Sequence, residues 1–165
     1  MPIRFISLNE EFIEKIKKEG YDGRLMNIKN YKHEEGRKTY YVSPANSLCS
    51  MTGGIDYVLS RIIFPQIKTE IKKKLSTVGY VSKKGRHYLP IGSSLIIDQE
   101  ENRSLILSPT MLLPQVIRGT NNVYYATMAI LFNILVNRGE SLEDVDILFT
   151  SMGCGYGKMR VKDSI

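Results

Sequence analysis

Short strand-like runs alternate along this chain with longer stretches of helical period, and that alternation most constrains its fold. Thr39-Tyr-Tyr-Val-Ser43, Ser104-Leu-Ile-Leu-Ser108 and Val145-Asp-Ile-Leu-Phe-Thr150 are rich in aromatic, β-branched and aliphatic residues, the composition of buried strands. Around them, Leu8, Phe12, Ile13 and Ile16 recur at the spacing of one helix face. So do Ile55, Val58, Leu59, Ile62, Ile63, Ile67 and Ile71, and again Val123, Ala126, Ile130, Leu131, Ile134 and Leu135. Strands alternating with helices of this length predict an α/β fold, a three-layer α/β/α sandwich in which helices cover both faces of a mixed, largely parallel sheet. A chain of 165 residues accommodates this as a single domain, residues 1–165.

The boundaries follow from local chemistry. Ile3, Phe5 and Ile6 predict an opening strand, and Ser7-Leu-Asn-Glu10 matches a capping box at the start of a first helix that Gly20 ends. Gly23 to Ile28 reads as a further strand, and His33 to Lys38 as a polar surface loop. Pro65 lacks a backbone donor and predicts a kink or division of the second helix. Tyr88 to Gly92 and Ser94 to Ile97 form a strand region before the acidic turn Asp98 to Asn102. Asn121 or Asn122 caps the last long helix, which Gly139 closes.

The formal charge of +6 favours polyanionic partners or phosphate-bearing ligands, nucleic acid and poly-ADP-ribose among them. Lys72 to Lys74, and Lys83, Lys84 and Arg86, carry much of the excess; such runs are most often a solvated helix end and an exposed turn. No apolar run reaches membrane-spanning length and the first residues lack the form of a secretory signal, so an intracellular protein, cytoplasmic or nuclear, is expected, with no membrane partner. Cys49 and Cys154 have no metal-type spacing; they are expected to be reduced, Cys154 as a packing residue, and no metal is expected. His33 and His87 lie in polar surroundings and read as solvated.

Ligands of parallel sheets bind outside the strand carboxyl ends. Two polar, glycine-bearing stretches start there: Asn46 to Asp56, with Gly53 and Gly54 before a helix, and Ser151 to Gly157. A helix N-terminus offers unpaired amides, and glycine lets the backbone approach a diphosphate, so a nucleotide or dinucleotide-like diphosphate is the expected ligand.

These stretches resemble the macro domain family over nearly the whole chain. Val42-Ser-Pro-Ala-Asn46 is similar to the family's Val-Asn-Ala-Ala-Asn, Gly53-Gly-Ile-Asp56 to its Gly-Gly-Val-Asp, Ser108-Pro-Thr-Met111 to the segment closing its central strand, and Gly153-Cys-Gly-Tyr-Gly157 to its second phosphate loop. The resemblance implies an α/β/α fold that binds ADP-ribose with no required cofactor. Asn46 would bond the distal ribose hydroxyls, and Gly53, Gly54 and Ile55 would wrap the diphosphate. Ser151, Gly153, Cys154, Gly155 and Tyr156 would form the opposite wall. Asp56 would activate or position a water at the anomeric carbon, making Asp56 and Asn46 the catalytic candidates.

The chain departs from the family pattern at Ser43 and Pro44, in a glycine run shortened to Thr52-Gly-Gly54, and in lacking the adenine-binding Gly-Asp-Ile, whose place Asn27 or Asp22 takes. The implied activity is hydrolysis of mono-ADP-ribosyl linkages on protein, or of an ADP-ribose derivative such as the 1″-phosphate or an acetyl ester. The alternatives are a non-catalytic reader of ADP-ribosylated proteins and a basic poly-ADP-ribose or nucleic-acid binder.

Overall fold

A computed structural model describes residues 1–165. Six strands, β1 (Ile3–Ser7), β2 (Asp22–Leu25), β3 (Lys38–Ser43), β4 (Leu95–Asp98), β5 (Arg103–Leu107) and β6 (Val145–Phe149), form one sheet in the order β2-β1-β6-β3-β5-β4. All neighbours are parallel except β4, which runs antiparallel to β5 at one edge. The helices are α1 (Glu10–Lys18), α2 (Gly54–Val58), α3 (Ile67–Leu75), α4 (Asn122–Phe132) and α5 (Val161–Ser164). None is long and apolar enough to cross a membrane.

Side chains of successive strand residues point to opposite faces, and the two faces of the sheet are two cores. Tyr41, Leu105, Leu107 and Leu148 pack with Leu59, Phe64, Ile67 and Ile71 on one side. Tyr40, Val42, Ile106, Val145 and Ile147 pack with Val123, Ile130 and Ile134 of the α4 region on the other. A smaller cluster seats Phe12, Ile13 and Ile16 of α1 with Val161 of α5. The three-layer sandwich expected from the alternation is the observed fold.

Local details differ from the sequence expectations. The cap of α1 is Asn9, whose Oδ1 accepts from the Phe12 N–H (3.0 Å), while Ser7 Oγ accepts from the Asn9 N–H (3.0 Å). Leu8 therefore lies before the helix and is exposed. Pro65 divides the second helix, and the turn ahead of it, Leu59–Ile63, is a π-helix. The Phe64 N–H bonds the Leu59 carbonyl five residues back (2.9 Å), which rotates the register so that Ile62 faces solvent and Phe64 takes the core. The expected strand at Gly23 to Ile28 is shorter and starts earlier, and Tyr88 to Gly92 is not a strand. Asn121 caps α4 without a side-chain bond; Asn122 instead donates its Nδ2–H to the Thr110 carbonyl (2.9 Å).

At the amino-terminal edge of the sheet, fully buried Asp146 of β6 pairs with Arg4 of β1 and, through Oδ1, with Arg37 Nε just before β3 (2.9 Å). Arg37 also donates to the carbonyls of Glu143 (2.8 Å) and Val145 (3.0 Å). Removing one member of a buried pair leaves charge without compensation. Asp146→Asn is expected to lower the free energy of unfolding by about 3 kcal/mol, measured by urea titration; a loss under about 1 kcal/mol would show that the clamp is dispensable.

Candidate functional site

The carboxyl ends of β1, β2, β3, β5 and β6 open into one cleft of about 620 Å³. Its walls come from Ser7 and Leu8 at the end of β1, Met26 to Ile28 after β2, Pro44, Asn46 and Thr52 to Asp56 after β3, Thr110, Met111 and Pro114 after β5, and Thr150, Ser151, Gly153 and Gly155 to Gly157 after β6. Among the expected site residues, Asn27, Asn46, Gly53, Gly54, Ile55, Asp56, Ser151, Gly153, Gly155 and Tyr156 all line it.

The first loop is held by its own polar groups. Asn46 pairs with Met111 across the ends of β3 and β5, and the Ser47 N–H donates to the Met111 carbonyl (2.9 Å). Asn46 Oδ1 accepts from the Leu48 N–H (3.0 Å), and its Nδ2 donates to Ser50 Oγ (2.7 Å). Asn46 is thus the organiser of the turn as well as a cleft residue, with one amide hydrogen left for a ligand. Cys49 (φ 52°) and Met51 (φ 51°) adopt the left-handed conformation that side chains disfavour. Their burial, and the bond from Ser60 Oγ to the Met51 carbonyl (3.2 Å), hold them there.

Asp56 is the only charged side chain lining the cleft; no lysine or arginine reaches it. It follows Gly53, whose backbone caps α2 without a side chain; the Asp56 N–H donates to the Gly53 carbonyl (3.1 Å), and the Gly54 and Ile55 amides before it, at the cleft wall, have no intrahelical acceptor. Ser43, the last residue of β3, donates its hydroxyl to Asp56 Oδ1 (2.7 Å). Burial pushes the Asp56 carboxyl up to about 6, against the opposing effect of the Ser43 bond. Burial, and then the nearby Asp56 charge, push the Cys49 thiol up to about 12, so it is no nucleophile at neutral pH.

In the second loop the glycines divide into two kinds. A Cβ on Gly153 (φ +77°) would come within 2.6 Å of Met159 Sδ and 3.0 Å of Val123 Cγ2. One on Gly157 would meet Ile117 Cγ1 at 2.7 Å and the Gly153 carbonyl at 2.8 Å. Both therefore serve close packing of the loop on itself and on Val123 of α4 and Ile117. Gly53, Gly54 and Gly155 have no heavy atom within 4 Å of such a Cβ, so their bareness leaves the cleft open. Ser151 Oγ lies 2.9 Å from Ser7 Oγ and ties the loop to the end of β1, while Tyr156 stands 70% exposed at the mouth.

Three expected positions need correction. Cys154 belongs to the second loop, but its side chain packs against Phe12, Ile13 and Ile16, away from the cleft wall. Asp22, one of the two adenine candidates, is bound to Arg4 (3.1 Å) and Arg24 (3.1 Å) outside the cleft. Burial opposes its ionisation, but the two arginines outweigh it and hold the carboxyl below its usual range. That leaves Asn27, whose Oδ1 accepts from the Lys29 N–H (3.1 Å) at a turn of 3₁₀-helix. His33 is partly buried rather than solvated, with Nδ1 2.9 Å from Thr39 Oγ1 and Nε2 buried without a partner. The sequence reading also missed Ser7, Ser43 and Thr110; each sits at or past a strand carboxyl end, a position that marks it once the strands are assigned.

Among solved structures, the chain is similar to the macrodomain of Mycobacterium tuberculosis DarG, with a TM-score of 0.57 and 17% identity over 81% of this chain and 82% of that one. At that identity the likeness is one of fold, and the fold is that of a macrodomain. No family model and no curated protein matches the sequence.

The raised Asp56 carboxyl has a sign that can be tested. Below about pH 3 it is protonated in both folded and unfolded chains and costs nothing. Between its ordinary value of 3.8 and about 6 the unfolded chain loses the proton first, so the wild type becomes less stable as pH rises, and above that range the penalty is complete. Asp56→Asn should match the wild type at about pH 3 and exceed it on the order of 1–3 kcal/mol at pH 7, read from chemical denaturation at each pH; equal stability at both would refute the raised carboxyl. Gly153→Ala should lose about 1–3 kcal/mol to strain and overpacking, whereas Gly155→Ala should stay within about 0.5 kcal/mol of wild type in the same assay.

Proposed function

We propose that the cleft binds ADP-ribose and that Asp56 promotes hydrolysis of a bond at its distal ribose. The observation that carries this reading is the convergence, on one edge of a macrodomain sheet, of two glycine-bearing loops and a single, partly buried carboxylate. Gly53, Gly54 and Ile55 on one side and Gly153, Gly155 and Tyr156 on the other frame a space in which a diphosphate meets backbone amides rather than cations. Asn46 would offer its remaining amide hydrogen to the ribose hydroxyls, and Asn27, which also lines the cleft, would receive the adenine.

In the reaction, the Asp56 carboxylate accepts a proton from a water whose oxygen attacks the anomeric carbon. The bond from that carbon to the leaving oxygen breaks, and the leaving group departs with the electron pair and takes up a proton. Ser43 fixes the carboxylate through Oδ1 and leaves the other oxygen to the water. The leaving group is a protein side-chain carboxylate, an acetate or a phosphate, which keeps the bridging oxygen. An adequate fit for ADP-ribose without hydrolysis is the reader function, and the two differ only in turnover.

Titration calorimetry with ADP-ribose, AMP and ADP should give saturable binding that prefers ADP-ribose; no preference would refute the assignment of the cleft. Asp56→Ala should keep ADP-ribose affinity within a few-fold and lower release of ADP-ribose from a mono-ADP-ribosylated protein roughly 10²–10⁴-fold. Unchanged release would remove Asp56 from the mechanism, and no release by the wild type would leave a reader.

A further inference from the structure

The positive charge of this chain is concentrated in one stretch. From Ile71 to Ile97 there is no Asp or Glu, while Lys72, Lys73, Lys74, Lys83, Lys84 and Arg86 supply six cations. With 23 Lys and Arg in all against 17 Asp and Glu, the other 17 cations balance the acids, and the whole formal charge of +6 resides here. Lys74 Nζ donates to the Ile96 carbonyl (2.6 Å); the other five form no ion pair, whereas Arg4, Arg37, Lys38 and Arg138 do.

The stretch is built into the fold. The Ser82 N–H donates to the Arg86 carbonyl (2.8 Å), the Gly85 N–H to the Ser82 carbonyl (2.8 Å) and the Tyr88 N–H to the Tyr80 carbonyl (3.1 Å). These bonds close a short hairpin whose exposed turn carries Lys83, Lys84 and Arg86. At its base the rings of Tyr80 and Tyr88 lie 5.9 Å apart, and Tyr80 is 45% exposed. Leu89 is then buried with Ile71 and Leu75 of α3 and with Ala45 and Cys49 of the first cleft loop, and its N–H donates to the Ser47 carbonyl (2.8 Å). The end of α3, the hairpin and the loop that carries Asn46 share one core.

We propose that the hairpin 80–88 and the lysines ending α3 form a docking site for single-stranded nucleic acid beside the cleft. Unpaired cations suit a phosphate backbone, and an exposed tyrosine offers a surface on which an unpaired base stacks. A duplex keeps its bases stacked inward and presents no such face, and an acidic peptide engages the cations without the rings. The site stands independently of what the cleft binds.

The test is fluorescence anisotropy of a labelled oligothymidylate across a range of salt concentrations, with the intact chain. Lys83→Gln, Lys84→Gln and Arg86→Gln together should weaken binding roughly tenfold or more and make the log–log salt slope shallower by about two, at roughly 0.7 for each phosphate left unneutralised. Lys17→Gln, Lys18→Gln and Lys162→Gln together, the same charge removed from exposed positions elsewhere, should change affinity less than about threefold. Tyr80→Ser should weaken binding with the salt slope unchanged, its melting temperature confirming the fold. Equal losses in the two triple variants, or tighter binding of a duplex or of polyglutamate than of the single strand, would overturn the proposal. Free ADP-ribose should bind wild type and triple variants alike, so failure at the cleft and failure at the hairpin are read separately.

Discussion

The cleft exists because β6 lies between β1 and β3, and Asp146 is the group that braces β6 in that place. Its carboxylate meets Arg4 of β1 on one flank and Arg37, ahead of β3, on the other, so one buried charge couples three strands at their amino-terminal ends. Parallel pairing then carries the register to the opposite edge, where the same three strands end near Ser7, Ser43 and Thr150. A one-residue slip would turn every side chain to the wrong face and separate the Ser7 and Ser151 hydroxyls that join the rims. The charged, closed edge supports stability, and the polar, open edge is left for a ligand.

Electrostatics divide the surface in a similar way. The cleft holds one carboxylate and no cation, so an anionic ligand there would depend on amides and hydroxyls, and Asp56 stands in the first turn of α2. Ser43 stabilises the ionised Asp56 while burial works against it; the balance leaves a carboxylate able to take a proton near neutrality. The uncompensated lysines and arginine lie instead on the neighbouring hairpin and at the end of α3.

Much of the site was legible because it follows from strand ends and glycine. Asn46, Gly53, Gly54, Asp56 and the Ser151 to Gly157 loop stand where a parallel sheet puts its ligands, and the stretch from Asn46 to Asp56 is one loop running into the first turn of α2. What each glycine does was not legible. Gly153 and Gly155 look alike in sequence, yet one is packed against Met159 and the other faces open space. Cys154 stands between them in the same loop and turns to the α1 cluster, a direction set by backbone torsion rather than by residue type. Ile62 fits a helical stripe on paper; the π-turn ahead of Pro65 turns it outward.

Sequence alone determined the layer architecture, because hydrophobic periodicity reports how each segment must bury its apolar face, and that requirement is local. It also determined which residue types stand at the strand ends. Tertiary structure alone decided which of them meet. Ser43 and Asp56, 13 residues apart, share a hydrogen bond, and Ser7 and Ser151, separated by 144, touch at the ends of the neighbouring strands β1 and β6. Such contacts depend on strand order and loop torsion, which arise from the packing of the whole chain and leave no periodic trace in any one part of it.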